Sequence, residues 1–103
     1  DKDNLIARQQ EKLEKGLSAE LKGDYSKAVE LFELFLIENS RSPAVPMVQL
    51  KLAVFYDKLN LMPKMQDTLL KLERTAFVAE AAYLKAHMAS KQSLFDDAAR
   101  MFE

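Results

Sequence analysis

The apolar positions of the chain recur with helical spacing. Leu13, Leu17 and Leu21 follow one another at four-residue steps, and Ala28, Phe32 and Phe35 repeat at i, i+4 and i+7, one face of a helix with 3.6 residues per turn. The stretch Leu31-Phe32-Glu33-Leu34-Phe35-Leu36-Ile37 does not alternate as a half-buried strand would. It sits in a run from Tyr25 to Glu38 without Gly or Pro, which is helix length. A helix apolar on most of its circumference must be covered on most of it, so this segment is expected to lie between neighbours.

Turn residues divide the pattern into six predicted helices. The first runs from about Asn4 to Lys22 and ends at Gly23. The second starts at Asp24, an N-cap, and runs to about Asn39. Ser42 is read as the N-cap of the third, with Pro43 in its first turn, where a missing N–H leaves no bond unmade, and this helix continues to about Leu59. Pro63 opens the fourth, which ends near Glu73, and Thr75 caps a fifth that runs through Ala89. Ser93 with Asp96 three residues later resembles a capping box and predicts a sixth helix to Glu103.

Composition agrees with an all-α chain. Two glycines and three prolines among 103 residues, about half of them apolar, leave little turn material for a sheet protein and enough apolar surface for one core. The net charge of -1 and the even spread of Lys and Arg give no basic patch for a phosphate backbone, which argues against nucleic acid. Without cysteine there is no disulfide framework, thiol nucleophile or thiolate metal site. No window approaches the ~20 apolar residues that cross a bilayer, so direct membrane insertion is not expected.

The helices group into pairs that resemble one another. Gly16, Ala53 and Ala86 put a small residue midway along the first helix of each pair. About twelve residues later come Ala28 and Phe32, Met65 and Leu69, or Ala98 and Phe102, with offsets close to the period of stacked helix hairpins. The segment "GLSAELKGDYSKAVELFELFL" resembles a tetratricopeptide repeat, with Gly16 at the close helix contact, Gly23-Asp24-Tyr25 at the turn, and Ala28 and Phe32 inside the hairpin. The second unit keeps Leu52-Ala53 and Tyr56, with Asn60 for the turn glycine and Met65 for the alanine. The third keeps Ala86, Phe95, Ala98 and Phe102, with Ser93 at the turn.

The resemblance implies one domain over 1–103, with repeat units at about 4–40, 43–73 and 75–103, wound as a right-handed superhelical solenoid of three helix-turn-helix repeats. "FLIENSRSPAVPMVQLKLAVFYDKLN" is further similar to the repeats of bacterial cell-envelope members of the family. That implies a periplasmic or envelope-associated setting, with a cytoplasmic one as the alternative.

Function in the family resides on the concave face lined by the first helix of each pair. The groove positions carried over are Gln10, Leu13, Leu17, Glu20 and Leu21, then Met47, Leu50, Val54, Asp57 and Lys58, then Glu80, Tyr83, His87, Ser90 and Lys91. Family members that grip a C-terminal carboxylate use Lys, Arg and Asn. The matching places here hold Leu13, Leu17 and Tyr83, which argues against such a clamp. The strip Leu13, Leu17, Leu21, Met47, Leu50 and Val54, with Tyr83 and His87 beside it, suits the apolar face of a partner helix or an extended hydrophobic peptide.

Other candidate chemistry is sparse. His87 is the only histidine, and neither a metal site nor a catalytic constellation assembles around it. Asp96 and Asp97 are sequence neighbours, which a helix turns ~100° apart, so they do not share a proton and instead favour a helix N-terminus. Met62, Met65, Met88 and Met101 are spaced as core fillers. No cofactor and no enzymatic activity are expected.

The resemblance therefore implies a protein-interaction scaffold, cut from a longer bacterial envelope or assembly protein. The alternatives are a structural segment of a longer solenoid whose groove is filled internally, and a secretion-type chaperone for a hydrophobic client. Phe95, Met101 and Phe102 are left with one side covered, which calls for a further helix or self-association through the C-terminal helix.

Overall fold

The computed structural model describes residues 2–101, and side chains from residue 7 onward. Within these residues the chain is all α-helical: α1 (Lys2–Leu21), α2 (Tyr25–Glu38), α3 (Val45–Lys58), α4 (Met62–Leu72) and α5 (Val78–Met101). The N-terminal boundary expected near Asn4 falls where only the backbone is described, and Phe102 and Glu103 lie outside the described residues.

Two sharp turns are built the same way. At the end of α1, Gly23 takes a left-handed φ of 75°, its N–H donates to the Glu20 carbonyl at 2.9 Å, and the Asp24 N–H donates to the Ala19 carbonyl at 2.9 Å. At the end of α3, Asn60 takes φ 58°, its N–H donates to the Asp57 carbonyl at 3.1 Å, and the Leu61 N–H donates to the Tyr56 carbonyl at 2.8 Å. Each is a Schellman closure, in which a left-handed residue satisfies the last helical carbonyls. Asn60 therefore does the backbone work of the glycine it replaces. Asp24 then caps α2, its Oδ1 accepting from the Lys27 N–H at 3.1 Å.

Helix starts elsewhere shift by a few residues. Ser42 and Pro43 lie in the turn ahead of α3, where Ser42 Oγ accepts from the Ala44 N–H. Pro46, not Pro43, occupies the first turn of α3. Thr75 accepts from the Phe77 N–H and donates to the Leu72 carbonyl, which holds the connection between α4 and α5.

The expected sixth helix is a correction. Residues 78–101 form one continuous helix of 24 residues, with Ser93 inside it. Ala89-Ser90-Lys91-Gln92-Ser93 offers neither the Gly nor the Asn that would take a left-handed turn, and nothing in it interrupts helical bonding. The third hairpin is not formed: Ala86 and Ala98, the small residues expected inside it, are both exposed.

The first two hairpins close and stack. α1 packs on α2, α3 on α4, and α2 on α3, while α5 lies against α4 and α3. Phe32, Phe35, Phe55, Leu52, Met65, Leu72 and Val48 fill the interior, and the Phe32 and Phe55 rings stack with centroids 5.8 Å apart across the hairpins. Coverage of α2 is less complete than its apolar run implies, since Leu34 and Ile37 face outward. The molecule extends 61 × 30 × 18 Å with a radius of gyration of 15.8 Å, above the ~13 Å of a compact chain this long. Its core runs through the two hairpins and the first half of α5.

Candidate protein-binding face

α1, α3 and α5 share one side of the molecule, and two sets of ion pairs link them there. Lys51 Nζ of α3 lies 3.0 Å from Glu20 Oε1 of α1. No backbone contact joins α1 to α3 among the described residues, so this pair spans an open seam. At the other seam Asp57 of α3 receives two side chains of α5. Lys91 Nζ donates to its Oδ1 at 3.2 Å and to its main-chain carbonyl at 3.2 Å, and His87 Nε2 lies 3.2 Å from Oδ2. Lys91 thus caps a carbonyl in the last turn of α3 from a neighbouring helix, where a cation is favoured.

Helical spacing explains why these residues meet. On α3 the core face is Val48, Leu52, Phe55 and Tyr56, which are buried. Met47, Leu50, Lys51, Val54 and Asp57 follow one another at three- and four-residue steps on an adjoining, half-buried face.

The predicted groove residues divide into two kinds. Leu13, Met47, Leu50 and Val54 are partly buried and pack against the core cluster. Leu17 is 37 % exposed, Leu21 88 % and Tyr83 73 %, so these three offer apolar surface to a partner. His87 is exposed in part and committed to Asp57. Glu20, Asp57, His87 and Lys91 are engaged across the two seams, whereas no close backbone approach joins α1 to α5 among the described residues. Lys51 escaped the sequence reading, although its i+4 place after Met47 put it on the same face.

On the opposite side, α2 and α4 both rest on α3, with no close backbone approach between them. Between them lies a cleft of about 300 Å³ floored by Gln49, Leu52 and Tyr56. Its charges are paired within the fold, Lys64 with Glu33 at 3.5 Å and Lys71 with Asp67 at 3.2 Å. Burial, and then the neighbouring Glu33 carboxylate, push the Tyr56 phenol well above its ordinary value.

Among the described residues no group of three or more His, Cys, Asp or Glu side chains is placed to hold a metal ion, and no helix is long and apolar enough to cross a membrane. No protein-family model matches the chain, and neither a curated protein nor a solved structure matches it.

Proposed function

We propose that the chain is a non-catalytic protein-interaction scaffold of tetratricopeptide-like hairpins, arranged as a right-handed solenoid, that holds an apolar peptide or helix on its α1–α3–α5 face. One observation carries the reading. The charged residues at both seams of that face bind each other, Glu20 with Lys51 and Asp57 with His87 and Lys91, while Leu17, Leu21 and Tyr83 stay exposed. Such a face needs no counter-charge and gains by covering apolar area, at ~25 cal/mol per Å². The repeat architecture is supported by the matching closures at Gly23 and Asn60. Support for a bacterial envelope setting comes from the sequence resemblance of the Ser/Pro turn between the hairpins.

A second reading is favoured by the partial burial of Leu13, Met47, Leu50 and Val54: the strip belongs to the packing of a longer solenoid. Selection from a displayed peptide library on the folded protein, with counter-selection on Leu21→Glu and Leu17→Glu, separates the two. Apolar peptides retained by wild type and lost by both variants are expected. Failure to enrich any peptide that the variants lose would move the assignment to the structural segment.

A further inference from the structure

From Phe77, just ahead of α5, through Ala81, Leu84, Met88, Lys91, Phe95 and Ala98 within it, residues follow one another at alternating four- and three-residue steps. This is the seven-residue repeat of a helix that lays one seam against another helix. The first half of the seam is in use: Ala81 and Leu84 are buried, and Phe77 and Met88 pack on the core. Lys91, the one polar residue on it, is held by Asp57 at the end of α3. Beyond Lys91 the seam has no neighbour among the described residues. Phe95 is 60 % exposed, and Leu94 and Met101, on its flank, are 70 % and 85 % exposed.

We propose that residues 92–101 pair antiparallel with the same segment of a second copy of this chain. Three observations select a second copy. The open seam continues, without a break in spacing, the interface that α5 already makes with α3 and α4. The seam is also self-complementary: with a twofold axis between Asp96 and Asp97, Phe95 of one copy faces Ala98 of the other, and the reverse. The Phe32 ring lies over Gly16 in the same aromatic-on-small manner. Finally, Asp96, Asp97 and Arg100 lie on the far side of the helix from Phe95 and Ala98, given ~100° per residue, so pairing brings no like charges together. Those residues contact groups within their own helix, Gln92 with Asp96 and Arg100 with Asp97.

Three turns of helix cover much less than the ~800 Å² per partner of a standard interface, so the dimer is weak and concentration-dependent. It uses the end of α5 beyond Lys91 and takes none of Leu17, Leu21 and Tyr83, the exposed apolar residues of the α1–α3–α5 face.

Sedimentation equilibrium of residues 1–103, from micromolar to millimolar concentration, tests it. The weight-average mass is expected to rise toward twice that of the monomer. Phe95→Asp is expected to stay monomeric with an unchanged circular dichroism spectrum, since Phe95 is exposed and outside the core cluster of the described residues. Ala98→Phe, which fills the space facing Phe95, is expected to weaken the dimer at least tenfold. Spin labels at Gln92→Cys are expected at a separation that reflects ~14 Å of axial offset, nine residues at 1.5 Å each, whereas a parallel pair would bring them side by side. A monomer at every concentration, an unaltered dimer in Phe95→Asp, or labels side by side would each overturn the proposal.

Discussion

The ring of Phe32 lies directly over Gly16, so that a Cβ at Gly16 would come within 2.7 Å of Phe32 Cζ and 2.8 Å of Cε1. The first hairpin is therefore closed by an aromatic ring on a position with no side chain. Phe32 is fully buried, and Phe32→Ala is expected to destabilise by ~3–5 kcal/mol. Gly16→Ala should destabilise by ~1–3 kcal/mol through overpacking, despite a helix-propensity gain of up to ~1 kcal/mol. In the Phe32→Ala background the same change should become neutral or stabilising, a coupling that a double-mutant cycle by urea denaturation reads directly.

Asn60 holds the left-handed turn between α3 and α4. Asn60→Gly is expected to leave stability unchanged or slightly raised, and Asn60→Val to lower it by at least ~1–2 kcal/mol, because a left-handed backbone brings Cβ against the carbonyl. Thermal melts of the two variants check the contrast.

Continuity of α5 through Ser93 has its own signature. Ser93→Pro removes a helical N–H and clashes with the Ala89 carbonyl, a local cost of ~3 kcal/mol or more. Residues 92–101 are exposed, so the expected result is lost helicity in the last turns by circular dichroism with little change in melting temperature. A large fall in melting temperature would show that this segment is packed.

The two hairpins were legible in the sequence and the third was not, for reasons that particular residues make plain. Gly23 forces a left-handed turn, and Asn60 is the residue that best substitutes for glycine there. Ser93 with Asp96 imitates an N-cap, yet a capping pair ends nothing by itself. A helix breaks only where the residues before it cannot continue, and Ala89 to Gln92 continue readily. The apolar positions assigned to the α1–α3–α5 side came from the repeat resemblance, which places the first helix of each pair on one face. The partners of their charged neighbours were not legible, because whether Lys91 reaches Asp57 depends on how α5 slides against α3. That register is set by Leu84 and Met88 packing on α4 and the core.

Tyr56 links folding to alkaline pH. Its phenol is pushed above the ordinary value, first by burial and next by Glu33, so the folded state keeps its proton where the unfolded chain loses it. This contribution is fully present below the unfolded value near ~10 and is lost as pH rises above it. Tyr56→Phe, which cannot ionise, is expected to show a shallower loss of stability above about pH 10 than wild type in parallel urea titrations.

The central claim is that the α1–α3–α5 face takes an apolar segment. The measurement that tests it most directly is an amide NMR titration of the protein with a peptide selected on it. Shifts are expected to gather at Leu17, Leu21, Lys51, Val54 and Tyr83. Shifts confined to Leu36, Ile37, Lys64 and Lys71, around the cleft between α2 and α4, would contradict the account and place binding on the opposite side.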